Sequence, residues 1–264
     1  MAMDLQSARH AFITGGASGI GLGIARSLAS RGLAVTIADI NEEALDAVLR
    51  ADARLSGVVL DTRDRAAWYR VKAEAESARG PVDILVNNAG IAPNGSGFAD
   101  MDPESFDRIL AINLVGVANG VFSFAADMRG RGRGHIVNTS SQAGLTAEMN
   151  GVGAYAVAKF GVTALSESLR QELASHGVGV SVLLPGYIQT GLAENTRRVG
   201  GDTRQHPITM PPSTVSADEV GEMVAEGIET DAAYILTHPD AWPPVAARME
   251  AIRSACDLRR RAAA

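Results

Sequence analysis

The sequence predicts an α/β fold, a doubly wound parallel sheet covered by helices on both of its faces. Short apolar runs alternate with longer amphipathic segments along the chain, which is typical of strands buried on both faces. A glycine-rich turn joins the first apolar run to the first amphipathic segment. No linker, repeat or change of composition divides the 264 residues, so we expect residues 1–264 to form a single domain.

The first half of the chain alternates strands with helices. Apolar runs predict strands over 11–14, 33–38, 57–60 and 83–86. The amphipathic segments between them predict helices over 20–30, 42–49 and 65–78. Asp102 and Pro103 then predict the start of a longer helix, because an N-cap acceptor precedes proline at the first helical position. We expect that helix to run to about residue 128.

The second half continues the alternation. Strands are predicted over 135–138, 178–184 and 234–236, with a helix over 154–175 between the first two. The polar, turn-rich segment 191–215 has no clear period and is expected to form a substrate loop or lid. Ser216, followed by Asp218 and Glu219, predicts another helix start, since acidic residues favour the positive end of the helix dipole. The tail, 239–264, is expected to contain a helix over 242–261.

Composition excludes several functional classes. The chain has 24 basic and 30 acidic residues, and this net charge of −6 argues against nucleic acid or an anionic membrane as a partner. The one cysteine, Cys256, predicts neither a disulfide nor a metal site with thiolate ligands. The sequence has no export signal and no apolar run near the ~20 residues that span a bilayer. We therefore expect a soluble, cytoplasmic protein that binds no metal.

The glycine-rich turn after the first strand predicts a site for a dinucleotide pyrophosphate. Glycine lets the backbone turn sharply and approach the phosphates, and the free N–H groups of the following helix favour their negative charge. A turn with a structural purpose only is the alternative, which the order of strand, turn and helix disfavours. The predicted phosphate-binding residues are Gly15, Ser18, Gly19, Ile20 and Gly21.

Carboxylates follow the second and third strands. Asp39 stands 18 residues beyond Gly21, where a dinucleotide-binding fold places an acceptor for the ribose hydroxyls. It would also repel a 2′-phosphate, and Ile40 and Asn41 supply no cation, so NAD is predicted rather than NADP. The alternative is that Asp39 caps the helix that begins near Asn41. Asp61 either contacts the adenine or caps the next helix.

Three asparagines, Asn87, Asn88 and Asn113, lie at positions that need an explanation. The segment 87–90, Asn-Asn-Ala-Gly, follows the fourth strand at the sheet edge where open α/β folds bind ligands, although asparagine is also a common turn former. Asn113 lies inside an otherwise apolar helical stretch, where asparagine has a low propensity. A water site, a distorted helical turn and satisfied burial without function are the possible reasons.

Four residues are candidates for acid–base chemistry. Tyr155 and Lys159 are four residues apart on a predicted helix, so their side chains share a face. An ammonium beside the phenol would lower its pKa from about 10 toward neutrality and allow proton exchange with an alcohol or carbonyl oxygen. Such pairs also occur on ordinary amphipathic helices. Here, however, Ser140 and Ser141 close the preceding strand at the same edge of the sheet.

Together these motifs resemble the short-chain dehydrogenase/reductase family. Residues 14–21 are similar to the family's cofactor turn, 87–90 to its Asn-Asn-Ala-Gly segment and 155–159 to its active-site motif. The resemblance covers about residues 9–190 and implies a Rossmann-type fold. It also implies oxidoreductase activity with a nicotinamide cofactor.

The resemblance implies a role for each motif residue. Tyr155 would be the general acid/base, Ser141 would hold the substrate oxygen, and Lys159 would bind the nicotinamide ribose and tune Tyr155. Asn113 would position a water that links Lys159 to a proton relay. The other implied cofactor contacts are Asp39, Asp61, Thr62, Asn88, Ala89, Gly90, Pro185, Gly186, Ile188 and Thr190.

Two departures from the family pattern limit this transfer. The interval from Ser141 to Tyr155 is one residue longer than is common in the family, so Ser140 stays an alternative to Ser141. The tail lacks the family's glycine-rich ending, which leaves the pocket wall and the subunit contacts formed there open. By resemblance we expect a homodimer or homotetramer built on the two long helices, with seam candidates Ala125, Leu165 and Leu169.

The predicted activity is interconversion of a secondary alcohol and a ketone by hydride transfer. We expect the substrate to be a hydrophobic or aryl small molecule. The residues expected to line its pocket are Ser141, Gln142, Leu145, Met149, Tyr155, Tyr187, Leu192 and the segment to Met210. Three arginines of the loop either contact an anionic group or are solvated lid charges: Arg197, Arg198 and Arg204. The alternatives are an NADP(H)-preferring carbonyl reductase of the same family and a non-catalytic NAD(H)-binding regulatory protein.

Overall fold

A computed structural model describes residues 3–201 and 214–262, which contain one parallel sheet. Its strands are β1 (His10–Thr14), β2 (Ala34–Asp39), β3 (Leu55–Val59), β4 (Ile84–Asn87), β5 (Gly134–Thr139), β6 (Val178–Leu184) and β7 (Tyr234–Leu236). They lie in the order β3-β2-β1-β4-β5-β6-β7, and every neighbouring pair is parallel. The chain winds outward from β1 in one direction and from β4 in the other, which confirms the doubly wound sheet.

Helices cover both faces of this sheet. They are α1 (Gly19–Ser30), α2 (Glu42–Ala51), α3 (Arg65–Arg79), α4 (Pro103–Leu110), α5 (Gly116–Arg131), α6 (Gly153–Leu173), α7 (Leu192–Arg198), α8 (Ala217–Glu229) and α9 (Trp242–Ala262). Successive strand residues point to opposite faces. Ile13 accordingly packs in one buried cluster with α1, α2 and α8, whereas Phe12 packs in another with α3, α5 and α6.

The second cluster also fixes a loop at the carboxyl edge of the sheet. The rings of Phe12, Trp68 and Phe124 lie 5.4 to 6.4 Å apart between centroids. Trp68 Nε1 and Asn119 Nδ2 each donate to the Thr62 carbonyl at 3.0 Å. The loop between β3 and α3 is therefore held from the core, which limits its movement at the ligand-binding edge.

Both helix starts predicted from capping residues are confirmed. Asp102 Oδ1 accepts from the Glu104 N–H at 3.3 Å, with Pro103 at the first helical position. Ser216 and Glu219 form a capping box before α8, in which each side chain accepts from the backbone N–H of the other residue.

Two segments differ from the predictions. The long helix extends to Arg131 and contains a π-helical turn, Ala111–Val115, between α4 and α5. The segment 191–215, expected to lack regular structure, contains α7. A tertiary contact accounts for α7, because the buried Thr196 hydroxyl donates to the Leu192 carbonyl at 2.7 Å and accepts from the Ala92 N–H at 2.9 Å.

The long helix is more apolar than predicted, since no apolar run near the length of a membrane span is expected from the sequence. By length and composition, Pro103–Arg131 could cross a membrane, but 56% of its most apolar window is buried inside the fold. Core helices of soluble proteins pass the same test, so this finding assigns no membrane.

The residues predicted to form an oligomer interface pack inside the monomer instead. Leu169 belongs to the buried cluster beneath the sheet, and Ala125 and Leu165 pack against that cluster. Phe122 on α5 and Val157 on α6 are exposed apolar side chains of the same helices. The expected homodimer or homotetramer stays a prediction.

Candidate active site

A cleft of about 1010 Å³ opens at the carboxyl ends of the central strands. It brings together most of the residues predicted from the motifs: Gly15, Ser18, Gly19, Ile20, Asp39, Asp61, Thr62, Asn88, Ala89, Gly90, Ser141, Gln142, Tyr155, Lys159, Pro185, Gly186, Tyr187, Ile188 and Thr190. Met149, Leu192, Arg197 and Arg198 also line it. Residues as far apart in sequence as Gly15 and Arg198 thus share one site, as the topology predicts.

Several predicted residues lie away from the cleft lining. Gly21 and Asn113 are buried behind it. Leu145 is not part of the lining, because the 3-10 turn Gln142–Gly144 redirects the chain before it, so that expectation is wrong. Arg204 and Met210 lie outside the described residues.

The glycine turn needs glycine for reasons of space and conformation. Gly15 and Gly19 have positive φ angles of 65° and 51°. A Cβ at Gly21 would lie 2.2 Å from the Gly15 carbonyl oxygen and 2.6 Å from Asn88 Nδ2. Asn88 Nδ2 also donates to the Thr14 carbonyl at 3.1 Å, which fastens the turn to the residue after β4.

Thr14 is a residue of the turn that sequence reasoning does not single out. Its Oγ1 accepts from the N–H groups of Asn88 and Ala89 at 2.9 and 3.0 Å. A hydroxyl at the last position of the first strand is the only local signal for this role. Thr14 therefore holds together the two loops that form the floor of the cleft.

Asp39 ends β2 with its carboxylate at the cleft. Its Oδ2 accepts from the Ala17 N–H of the glycine turn at 3.2 Å, and its Oδ1 accepts from the Asn41 N–H at 3.0 Å. Asn41 itself caps α2 by accepting from the Ala44 N–H at 3.2 Å. The alternative that Asp39 caps this helix is therefore wrong.

Asp61 is paired with a cation that the sequence analysis does not expect at this site. Arg63 Nε donates to Asp61 Oδ1 at 2.9 Å and Nη2 donates to Oδ2 at 2.6 Å, and this hydrogen bonding lowers the pKa of the Asp61 carboxyl. Asp64 caps α3, so the capping alternative for Asp61 is wrong. Arg63 also lines the cleft, because the β3–α3 loop folds toward the same edge as Asp39.

Helix α6 presents Tyr155 and Lys159 on one face at the other end of the cleft. Lys159 Nζ lies 5.5 Å from the centroid of the Tyr155 ring and donates to the Thr139 carbonyl at 2.8 Å. Lys159 is buried, whereas Tyr155 is partly open to the cleft. The i, i+4 spacing therefore produces the predicted pairing.

The two serines face different partners. Ser141 hydrogen-bonds with Tyr155, and its Oγ also accepts from the Ala143 N–H at 3.2 Å. Ser140 Oγ instead donates to the Lys159 carbonyl at 2.8 Å and contacts Thr163 Oγ1 at 2.9 Å. The geometry thus places the Ser141 hydroxyl, rather than that of Ser140, beside the phenol.

Burial dominates the ionisation of the pair. It raises the pKa of Tyr155 to about 12, against a smaller lowering by the hydrogen bond with Ser141. It lowers the pKa of Lys159 to about 7. The expectation that Lys159 draws the pKa of the phenol toward neutrality is not met in this structure, because desolvation disfavours the charged form of both groups.

Lys159 predicts a pH-dependent stability difference. Its folded pKa is below its unfolded value of about 10.5, so burying the ammonium destabilises the fold below about pH 7, and this cost fades as the pH rises. Relative to Lys159→Met, the free energy of unfolding of the wild type should rise by about 2 kcal/mol between pH 7 and pH 9. Urea unfolding of both proteins at these two pH values measures the change. A difference that stays constant between pH 7 and pH 9 would contradict the lowered pKa of the buried Lys159 ammonium.

Asn113 supports the backbone beside this pair. Its Oδ1 accepts from the Ile91 N–H at 2.7 Å, and its Nδ2 donates to the Ile91 carbonyl at 3.0 Å. The residue sits in the π-helical turn, which confirms a distorted turn as one reason for asparagine there. A Cβ at Gly90 would lie 2.9 Å from Asn113 Oδ1 and 3.7 Å from Lys159 Nζ. Both polar groups of the Asn113 side chain thus bind Ile91. The water implied for Asn113 stays a prediction.

Helix α7 is tied to both walls of the cleft. Asn195 Nδ2 donates to Ser18 Oγ in the glycine turn at 3.1 Å. On the other wall, Thr196 accepts from the Ala92 N–H at 2.9 Å. Sequence reasoning misses both residues, because a short polar helix gives no periodic signal. Within the predicted loop or lid, 191–215, residues 192–198 thus form an ordered helix, and 202–213 lie outside the described residues.

Comparison with known proteins agrees with this geometry. A model of the short chain dehydrogenase family matches residues 9–199. The chain belongs to that family. C alpha-dehydrogenase from Sphingobium sp. (strain NBRC 103272 / SYK-6) is 32% identical over 261 residues, which cover 92% of this chain and 84% of that protein.

Solved structures of short-chain dehydrogenases have the same fold. A short chain dehydrogenase/reductase from Burkholderia phymatum in complex with NAD matches with a TM-score of 0.85 and 32% identity, over 95% of this chain and 96% of that one. A metagenomic short-chain oxidoreductase in complex with NADP matches with a TM-score of 0.73 and 28% identity, over 89% and 99% of the two chains.

The cleft of this short-chain dehydrogenase fits a nicotinamide dinucleotide. The Gly21 position leaves no room for a Cβ where the turn meets the residue after β4, and the N–H groups at the start of α1 lie behind that turn. The Asp39 carboxylate lies at one end of the cleft and Tyr155 at the other. As a member of this oxidoreductase family, the protein takes a nicotinamide cofactor.

Proposed function

We propose that this dehydrogenase interconverts a secondary alcohol and a ketone with NAD(H) as its cofactor. The observation that carries the proposal is the grouping of Tyr155, Ser141 and Lys159 at the end of the cleft that is remote from Asp39. A non-catalytic, cofactor-binding protein would not need a phenol, a hydroxyl and an amine in this arrangement.

Each residue of the group has a proposed task. The nicotinamide, when bound, supplies or accepts the hydride. Tyr155 Oη exchanges a proton with the substrate oxygen, and Ser141 Oγ hydrogen-bonds the same oxygen as its charge develops. Lys159, anchored on the Thr139 carbonyl, binds the nicotinamide ribose and provides a positive charge near the phenol when protonated. Asn113 keeps the Gly90–Ile91 backbone in place beside Lys159.

The raised pKa of Tyr155 suits one direction of the proposed reaction better than the other. A neutral phenol, which the raised pKa of Tyr155 favours, donates its proton to the oxygen of a ketone during reduction. Oxidation of an alcohol needs the phenolate instead. A positive charge brought close to the ring favours the phenolate. We therefore propose that alcohol oxidation speeds up with increasing pH, whereas ketone reduction does not.

The family comparisons support this proposal at the level of reaction type. The Sphingobium relative carries the name of a dehydrogenase, and the Burkholderia structure contains NAD. Neither name specifies the alcohol for this chain. An NAD/NADH absorbance screen across aryl, aliphatic, steroid and sugar alcohols, with the corresponding ketones, tests the proposed reaction. A complete absence of turnover across this panel would count against it.

A preference for NADP is the second candidate, and Arg63 is the observation that favours it. Its guanidinium lines the adenosine end of the cleft, where a 2′-phosphate would lie. Two facts oppose this role. Arg63 already forms a bidentate pair with Asp61, and the uncompensated Asp39 carboxylate stands at the same end.

Cofactor preference tests these two candidates. We expect the wild type to have a higher kcat/KM with NAD than with NADP, and Asp39→Ala to reduce that ratio roughly tenfold or more by removing the ribose acceptor and the repelling charge. Arg63→Met is the comparison variant and should leave the ratio nearly unchanged. Initial rates with each cofactor measure the ratio. A wild type that prefers NADP, together with a further loss of NADP activity in Arg63→Met, establishes the second candidate instead.

A further inference from the structure

The carboxylates that line the cleft all lie at one of its two ends. In the part of the chain that the structure describes, the acidic lining residues are Asp39, Glu42 and Asp61. All three follow β2 or β3, at the adenosine end. Among the described residues, the lining contributed by the loops after β4, β5 and β6 and by α7 has no carboxylate, and α7 adds two guanidinium groups, those of Arg197 and Arg198.

Helix α7 carries both arginines at the cleft, close to the loop after β4. Thr196, the residue before them, is buried and bound to the Ala92 N–H. Val199, the residue after them, packs against the apolar cluster that contains Ile91, with Tyr155 against the same cluster. The segment 197–198 thus lies between a residue bound to the loop after β4 and a residue that packs on the cluster contacted by Tyr155, while Asn195 of the same helix binds the glycine turn.

The space next to these cations is lined mainly by apolar side chains. They come from the loops after β4, β5 and β6 and from α7: Ile91, Pro93, Met149, Val152, Tyr187 and Leu192. Such a surface takes an apolar body and gains little from a sugar, which needs many hydrogen bonds. An apolar wall with cations at its rim is complementary to an amphiphilic anion.

We infer that the substrate of this dehydrogenase is an apolar or aryl secondary alcohol, or its ketone, that carries a carboxylate, and that Arg197 and Arg198 bind this group. The inference rests on the proposed function. Guanidinium groups form paired, charge-assisted hydrogen bonds with carboxylates. The cofactor end keeps its own carboxylates, so an acidic substrate would be repelled from it.

Local electrostatics provide a competing explanation for the arginines. Basic residues in the last turn of a helix interact favourably with the negative end of its dipole. Arg198 also forms an ion pair with Glu194 at 3.2 Å. Those interactions are compatible with anion binding, since Glu194 accepts from Nη2 of Arg198 at 3.2 Å, whereas Asp61 takes both Nε and Nη2 of Arg63. The two explanations differ in what happens to substrate selectivity when the charges are removed.

The test compares para-acetylbenzoate with its methyl ester, two ketones with the same aryl body. Dissociation constants are measured for both probes with NADH-loaded protein, and reduction of both is followed separately. We expect the acid to bind roughly tenfold more tightly than the ester to the wild type. In Arg197→Met with Arg198→Met that preference should disappear, while ester binding changes little. Glu194→Gln, which frees Arg198 from its partner, should increase the preference.

Arg129→Met is the matched control, because Arg129 pairs with Glu172 at 3.6 Å on the surface outside the cleft lining. It should leave both dissociation constants unchanged. The inference is overturned if the wild type binds the ester as tightly as the acid, if neither probe binds, or if the double variant keeps the preference. It is also overturned if the arginine variants weaken NADH binding without changing the ratio of acid to ester.

The two parts of the account fail in different ways. Reduction of the ester by a protein without acid selectivity would contradict the anion site and leave the proposed reaction standing. Selective binding of the acid, with no reduction of either ketone or of any ketone in the broader panel, would contradict the reaction and leave the anion site standing.

Discussion

Tyr155→Phe should lower kcat by roughly a hundredfold to ten-thousandfold, the range attributed to a positioned general acid or base. The substitution removes one oxygen and keeps the ring, which lies 5.5 Å from Lys159 Nζ. The floor of the cleft, which is built by Thr14, Asn88 and the glycine turn, is left intact. We therefore expect the dissociation constant for NADH to stay nearly unchanged. Steady-state rates and fluorescence titration with NADH provide the two measurements.

Tyr69→Phe is the control for this substitution. Tyr69 is an exposed tyrosine of α3 and lies outside the cleft lining, so its loss of a hydroxyl should alter neither rate nor affinity. Near-wild-type turnover by Tyr155→Phe would remove the residue from its proposed role. Loss of NADH binding in that variant would indicate that the phenol is needed for the shape of the site and would leave its proton transfer unsupported.

Gly21→Ala should weaken dinucleotide binding by an order of magnitude or more and lower the free energy of unfolding by about 1 to 3 kcal/mol. The added methyl group would lie 2.2 Å from the Gly15 carbonyl oxygen, and this atom belongs to the backbone and cannot rotate away. The turn must therefore shift relative to α1, and with it the N–H groups that face the pyrophosphate. Titration with NADH and urea unfolding measure the two effects.

Gly130→Ala is the matched control for the glycine turn. Gly130 lies in α5, and a Cβ there would meet nothing within 4 Å, so alanine should be neutral or slightly stabilising. Equal NADH affinity in Gly21→Ala and the wild type would contradict the close approach of the turn to the cofactor.

The predictable parts of the site are those that depend on local spacing. The strand, glycine turn and helix follow one another within about twenty residues, and the pair Tyr155 and Lys159 needs only the period of a helix. The edge of a parallel sheet then brings Asp39 and the Asn88 loop to the same place, because all strands point in one direction. These relations do not require side-chain packing to be known.

The unpredicted parts depend on contacts between distant segments. The polar sequence of helix α7 alone does not indicate a helix. The helix is held by the hydrogen bond from the Ala92 N–H to Thr196 Oγ1, between residues 104 positions apart. Arg63 enters the cleft from the loop beyond β3, whereas the sequence argument about cofactor charge considers only the neighbours of Asp39. The pKa values of Tyr155 and Lys159 are governed by desolvation of their side chains. The i, i+4 spacing does not predict how deeply these side chains are buried.

Transfer of a labelled hydride is the most direct test of the proposed alcohol–ketone reaction. A secondary alcohol that emerges from the screen is deuterated at its carbinol carbon and incubated with NAD and the enzyme, and the label in the NADH is measured by mass spectrometry. We predict that the wild type transfers the deuterium to the nicotinamide and releases the ketone, and that Tyr155→Phe binds NAD but transfers almost none. Product formed without label in the nicotinamide, or equal transfer by both proteins, would contradict the account.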